Sequence, residues 1–385
     1  MNNQHAASSP PADMPASGAP LSEKLRAKAR ALAFAVGTRV RRAAYLAKSP
    51  GAALAPQPSG TTMGLNANVD FSRVRFADDS AKARRHFTIG PWMAVTELHF
   101  GGYMVYDTRN VDTTPGPIRE GWAEPWNDIM LRALLRDGDV CVNVGANYGY
   151  FTLLAGILVG DRGKVFSFEA NPSIFAHLMR SLFFSGTINR TSLFNRAVSD
   201  KDGDSVEFMF DPQFSGGGAC AWQGDIGSIV PRELEQCVWN EKTVPELLDE
   251  HGMWRVGQVG LFSTFQATTI TLDTALRGKA DRIDLLLMDI EGSEPYAILG
   301  ATEMLRKSPN PRVILEWAGH YNDRPWLGDR CRRMWDFLTG ELKLKAFHIR
   351  PTTRNAYLFP PDLLHVPDFA SFCQLPHGEV FFTRV

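Results

Sequence analysis

The residues best suited to chemistry fall in Asp139–Tyr150, DVCVNVGANYGY, and at Glu169. Val140, Val142 and Val144 have the β propensity of a buried strand. Gly145 and Gly149 let the backbone turn sharply and come close to a ligand. Amide N–H groups at the start of the helix that follows can meet an anionic or polar ligand end. Lys164–Phe168 (KVFSF) reads as the next strand, and Glu169 stands at its C-terminal edge. A carboxylate there can accept both hydroxyls of a ribose, as in dinucleotide folds. The chemistry expected is the holding of a nucleotide-like cofactor at the rim of an open α/β sheet.

Three cofactor readings compete. A nicotinamide fold wants G-x-G-x-x-G, but Asn147 takes the place of the middle glycine and the last glycine is out of register. A phosphate-cradling loop would end in Gly-Lys-Ser/Thr, and no such ending follows. S-adenosylmethionine fits the spacing best. It has no pyrophosphate, so the loop need only pass close to its methionine portion. The plainer alternative is a glycine-rich turn that binds nothing.

A second group of acids stands at Asp289, Glu291 and Glu294, after the apolar run Ile283–Met288. Asp289 should emerge at the rim, with Gly292 allowing a sharp exit. Asp289 or Glu291 is expected to orient or deprotonate an acceptor hydroxyl, one of them with a raised pKa. Glu294 reads as a helix N-terminal charge worth about 0.3–1 kcal/mol. Glu316 ends the next strand, and His320 follows it as a candidate base; a loop histidine without a role is the alternative. His377, like the remaining histidines, has no place in the expected site. Two acids could in principle hold a divalent ion, but no metal is expected, since neither a C-x-x-C nor a zinc spacing occurs.

Several segments, in order, resemble the FkbM-type methyltransferases. They are Val140–Thr152 (VCVNVGANYGYFT), Val165–Pro172 (VFSFEANP), Asn195–Gly203 (NRAVSDKDG), Ile270–Leu276 (ITLDTAL) with Ile283–Ala301 (IDLLLMDIEGSEPYAILGA), and Val313–Trp317 (VILEW). The resemblance spans about Gly101–Glu316. It implies S-adenosylmethionine as cofactor and, often in that family, a hydroxyl oxygen as methyl acceptor. It agrees with the spacing in giving the cofactor-binding role to the loop Gly145, Ala146, Asn147 and Gly149, with Asn143 before it, and to Glu169. Asn171, just past Glu169, could help at the ribose or adenine edge, and backbone groups of Ala197 and Val198, ending the third strand, could read the adenine. Asp200 is a weaker candidate that could instead cap a turn. The family usually has Asp where this chain has Asn143. Asn keeps the acceptor oxygen but loses the charge. That supports an alternative function, a catalytically degenerate binding or regulatory module. The segment with Trp122, Glu124 and Trp126 lies near the cofactor cleft in this family, though packing is the simpler role for the tryptophans.

The elements needed to position these residues follow from alternation. The order β-α-β-α-β, then strands at Ile283–Asp289 and Arg312–Glu316 with a helix between them, a helix at Cys331–Leu338, a strand near Leu344–Ile349 and a last strand at Glu379–Arg384, predicts a Rossmann-like class I methyltransferase fold. Its sheet is expected to have seven mostly parallel strands with helices on both faces. The third strand is expected over Ser192–Val198. Residues 211–269 break the alternation and read as an insertion over the strand ends, a lid or an oligomeric decoration.

Residues 63–385 form the expected catalytic domain, and 1–62 an extension ending in a Pro-rich linker. Within it, Leu21–Lys48 carries eight basic residues against Glu23 alone, interleaved with apolar ones. That suits a helix on an anionic membrane surface, or a solvated arm. A net charge of −1 argues against a general nucleic-acid binder. Five unpaired-looking cysteines suit a reducing compartment. Neither a membrane span nor a secretory leader is expected, so the reading is cytoplasmic, peripheral to the membrane at most. The expected partner is a small-molecule or glycan acceptor, which suits the tryptophans of the insertion.

Overall fold

Apolar side chains alternate between the two faces of the central strands, and both faces are covered. The computed structural model describes residues 67, 69–74, 85–210, 215, 219–220, 263–351 and 359–385. The chain divides into two compact units, Met1–Thr62 and Met63–Val385, and every described residue belongs to the second. The expected basic helix at 21–48 and most of the expected insertion lie outside the described residues. No helix among the described residues is long and apolar enough to cross a membrane.

The first three strands, β1 (His86–Gly90), β2 (Met93–Glu97) and β3 (Tyr103–Asp107), make an antiparallel meander. Next come β4 (Val140–Val144), β5 (Lys164–Phe168), β6 (Thr191–Phe194), β7 (Ala197–Val198), β8 (Ser205–Phe210) and β9 (Ala219–Cys220). The remainder are β10 (Ser263–Ile270), β11 (Leu285–Met288), β12 (Arg312–Trp317), β13 (Lys345–Arg350), β14 (Asp362–Val366) and β15 (Gly378–Thr383). The main sheet has the order β14-β13-β15-β12-β11-β4-β5-β6. Its run from β12 to β6 is parallel, and β15 is inserted antiparallel between β12 and β13.

The sheet therefore has eight strands rather than seven. The additional one, β14, is an edge strand paired with β13 and only partly buried. Its apolar pattern, DLLHV, is too weak to stand out in sequence. The expected third strand also splits. Thr191–Phe194 joins the main sheet, whereas Ala197–Val198 pairs with β10 in a separate four-stranded sheet, β7-β10-β8-β9. Asn195 sits at the break, where its Nδ2 donates to the carbonyls of Glu169 and Ala170. That side chain takes acceptors at the end of β5, where the main-sheet pairing stops. Part of the expected insertion, β9 and most of β10, thus belongs to this second sheet, beside β8, which precedes the insertion.

One apolar layer joins Val142, Val144, Phe166, Leu286 and Met288 to helical residues Leu276, Ala297 and Leu305. The other joins Cys141, Val165, Leu285 and Leu287 to Met130, Leu131 and Leu154. Chain order runs one way through β4, β5 and β6, and the other way through β11 and β12. It reverses between β4 and β11, the place where open α/β sheets bind ligands.

At that point the two chain exits touch. Gly145 has φ +79°, and a Cβ added there would lie 1.9 Å from the Asp289 carbonyl oxygen. Gly149, at φ +99°, leaves no room because of Leu178 Cδ1, 2.5 Å from where its Cβ would be. Gly145 is demanded by backbone packing as well as by conformation, whereas at Gly149 the positive φ is the firmer demand, the facing atom being a side-chain methyl. Gly145→Ala is expected to cost roughly 2–5 kcal/mol, combining the left-handed backbone with overpacking. Gly278→Ala, also at positive φ but with open space around it, should cost only about 1–2 kcal/mol. Urea denaturation of the two variants checks this; equal costs would contradict the close approach.

Candidate active site

The glycine loop after β4 keeps its amides for itself. Gly145 N and Ala146 N both donate to the Phe168 carbonyl, and Gly149 N to that of Ala146. Asn147 N donates to Glu169 Oε2, and Tyr148 N to Asn147 Oδ1. All five N–H groups from 145 to 149 are therefore satisfied within the chain. A loop that binds a phosphate must aim such groups outward, and these five do not; the amides expected to meet a ligand end are those of the helix start, from Tyr150 on. The arrangement argues against dinucleotide and phosphate readings alike. Ala146 and Tyr148 point into an apolar cluster with Leu153 and Leu178.

Glu169 ties the loop to the end of β5. Its Oε2 accepts from Asn147 N and its Oε1 from Asn171 N, at 2.9 and 2.8 Å. Burial pushes its carboxyl up to about 7, against the pull of those amides. Each oxygen retains a lone pair for a further donor. Asn171 caps the helix Pro172–Phe184, its Oδ1 accepting from Ser173 N and Ile174 N. Its Nδ2 is buried without a hydrogen-bond partner, a group that a ligand acceptor would satisfy.

Asn143 lies beneath the loop, 3% exposed. Its Nδ2 donates to Thr152 Oγ1 at 2.9 Å, and Thr152 Oγ1 meets Ser167 Oγ at 2.7 Å. The amide is thus used as a donor inside the protein. Ala197 and Val198 are occupied in pairing with β10, and Asp200 is ion-paired with Arg330. Ser215 reaches the loop from the inserted region, 3.4 Å from Asn147 Oδ1.

Beside the loop stands a crowd of carboxylates. Asp289 follows β11, Glu291 and Glu294 lie on the turn into the helix Glu294–Leu299, and Glu316 is on β12. Glu379 is directly opposite Glu316 across the β12–β15 pair. Glu124 joins through Asn127, whose Nδ2 donates to Glu124 Oε2 and Glu379 Oε1. Like charges at opposed positions are ordinarily destabilising. Asp289 opens to solvent, but poor hydration in the cleft, then Glu316, Glu124 and Glu291, push its carboxyl well above the usual range. Burial and Glu316 lift Glu291 and Glu294 each to about 8. Glu316 is the exception. Burial raises it, but His377 at 2.7 Å, the neighbouring Asp289 and Arg324 outweigh this and hold it low. His377 is correspondingly raised, above all by its bond to Glu316. Three residues at this rim, Glu124, Asn147 and Glu291, have positive φ of 38°, 49° and 56°. Such strain concentrates at functional sites.

A family model described as methyltransferase FkbM domain matches residues 143–347. The chain belongs to the FkbM methyltransferase family. Its architecture is the Rossmann-like class I methyltransferase sheet, with β14 as an added edge strand. No curated protein matches the sequence. Among solved structures, an S-adenosylmethionine-dependent O-methyltransferase from Thermotoga maritima is similar over 77% of this chain and 95% of its own, at 11% identity and TM-score 0.33. Fibrillarin from Aeropyrum pernix, with natively bound S-adenosyl-L-methionine, is similar over 77% and 97%, at 10% identity and TM-score 0.31. A precorrin 8w decarboxylase from Methanobacterium thermoautotrophicum is similar over 73% and 100%, at 14% identity and TM-score 0.32.

FkbM methyltransferases depend on S-adenosylmethionine, and the residues present fit it. Glu169 offers two carboxylate oxygens, Asn171 Nδ2 is an unmet donor, and the closed loop amides suit a cofactor without a pyrophosphate. In this FkbM methyltransferase, Glu294 differs from its sequence reading. It is not a solvated helix charge but is fully buried, its Oε1 accepting from Ile290 N. His320 is exposed in the turn Gly319–Asp323 and bonds to none of the acids; His377 holds the position expected of it. Trp122 stacks on His99 at 3.5 Å, a packing role. Glu316 was visible at its strand end, whereas His377 and Glu379 were missed. The useful signal was the last strand's direction, because an antiparallel strand brings its beginning to the rim.

The chain Asn143–Thr152–Ser167 supports the strand end under the loop. Thr152→Val keeps the shape but leaves two buried polar groups short of a partner. It is expected to destabilise by about 1–3 kcal/mol, measured by urea denaturation. A neutral result would contradict the network.

Proposed function

We propose that the protein transfers a methyl group from S-adenosylmethionine to a hydroxyl oxygen on a sugar, glycolipid or secondary metabolite. The observation that carries this reading is the contact of the Gly145 loop with Asp289, which sets the cofactor cup against a group of carboxylates. When bound, the cofactor supplies a methyl carbon activated by its sulfonium. Glu169 and Asn171 would hold the ribose side, and the 145–149 loop would line the methionine side. Asp289 and Glu291 would align the acceptor hydroxyl. The carboxylate group would take the acceptor's proton, and Glu316 is the member that His377 holds toward the ionised form. The basic segment 21–48 would keep a lipid-linked acceptor close at an anionic membrane surface. The degenerate-module alternative rests on Asn143, whose amide donates to Thr152 inside the protein.

Asp289→Ala is expected to lower methyl transfer at least a hundredfold while S-adenosylhomocysteine binding changes by less than about threefold. The assay follows labelled methyl from S-adenosylmethionine into a panel of hydroxyl acceptors. Full activity in the variant would remove Asp289 from the mechanism.

Glu169 gives a pH test. Ribose hydroxyls donate to its ionised form, and its pKa in the unliganded fold is about 7. S-adenosylhomocysteine affinity should therefore fall as pH drops through 7, by up to about tenfold per unit, and Glu169→Gln should flatten the profile. The same shift acts on stability with the opposite sign. The raised pKa favours the fold at acid pH, and that stabilisation is lost as pH climbs from 4.5 through about 7. A binding profile identical in wild type and variant would show that Glu169 does not meet the ribose.

A further inference from the structure

We propose that Asp289, Glu294 and Glu316 bind one hard divalent cation beside the cofactor loop. Each offers a carboxylate oxygen, and the three oxygens lie within 4.8 Å of one another. Oxygens that share one ion at about 2.1–2.5 Å are at most about 4–5 Å apart, so the present spacing needs little adjustment. The ligand set is all carboxylate, which selects Mg2+, Mn2+ or Ca2+ over softer metals.

Clustered acids alone would not establish such a site. The independent observation is at Glu294, which is 0% exposed. Its Oε1 is held by Ile290 N, while its Oε2 is buried with no hydrogen-bond partner among the described residues. At Glu316, Oε1 is on His377, and the buried Oε2 has only the Asp289 carboxyl of the same group beside it. Buried acceptors left bare are costly, and these two belong to the same three-residue group. Arg324, whose Nη1 donates to the Glu291 carbonyl, makes no hydrogen bond to either oxygen. The positive φ of Glu291 and Gly292 bends the chain between Asp289 and Glu294, and Glu316 is fixed within β12. The exposed Asp289 leaves one side open to water or an acceptor oxygen. For the ion's task only, the inference rests on the methyl-transfer reading: a cation there would grip the acceptor oxygen and ease loss of its proton.

The test uses full-length protein stripped with a chelator and titrated with MnCl2, free Mn2+ being read by electron paramagnetic resonance. Glu294→Gln and Asp289→Asn are run in parallel, with circular dichroism to confirm folding. S-adenosylhomocysteine binding is measured by calorimetry on the same samples. One Mn2+ per chain is expected, displaced by Mg2+ or Ca2+ and weakened at least tenfold in both variants. Should Glu294→Gln not fold, Asp289→Asn, altered at an exposed side chain, carries the comparison. No saturable Mn2+ binding, or equal binding in a folded variant, overturns the cation site whether or not S-adenosylhomocysteine binds. Mn2+ binding lost in the variants without S-adenosylhomocysteine binding upholds the site and counts against the methyl-transfer reading alone.

Discussion

The backbone of Gly145 lies so close to the Asp289 carbonyl that no side chain fits between them. The rest of the site depends on that approach. It exists because chain order reverses between β4 and β11, so two strands laid side by side send their exits to the same spot. One exit becomes the closed glycine loop clasped by Glu169, and the other delivers Asp289, Glu291 and Glu294. Glycine loop and acids are thereby joined through backbone, which fixes their separation more firmly than side-chain contacts would.

The acids themselves are held at a cost. Glu316 and Glu379 face each other across a strand pair, and Asp289, Glu291 and Glu294 are all driven toward the protonated state. Three residues around them adopt left-handed backbone without being glycine. Packing alone would favour apolar side chains and relaxed turns at these positions. Strain and crowded charge of this kind concentrate at functional sites. His377 breaks the uniformity, keeping Glu316 charged while its neighbours rise, so that one group of carboxylates contains members of different basicity.

Much of this was legible in the sequence because it rests on local pattern. The parallel strands, the glycine turn, Glu169 and the emergence of Asp289 all follow from apolar alternation and the residues that end it. What was not legible depends on tertiary geometry. The amides of 145–149 prove to be spent on Phe168, Glu169 and the loop itself. Asn143 acts as a donor to Thr152, which a reading focused on lost charge did not anticipate. Glu294 has a helix-cap position but a buried environment, and position alone does not reveal burial. His377 and Glu379 precede or begin a strand, so a search at strand ends passes over them; only the antiparallel course of β15 brings them to the rim. β14 was missed because a half-buried edge strand has little hydrophobic signature.

The central claim is that the closed loop and Glu169 form a cup for S-adenosylmethionine and not for a dinucleotide. Calorimetric titration of the full-length protein with S-adenosylhomocysteine, and separately with NAD, tests this most directly, with Glu169→Ala as control. The account expects saturable binding of S-adenosylhomocysteine, its loss in the control, and no binding of NAD. Binding of NAD, or folded protein that ignores S-adenosylhomocysteine, would contradict it.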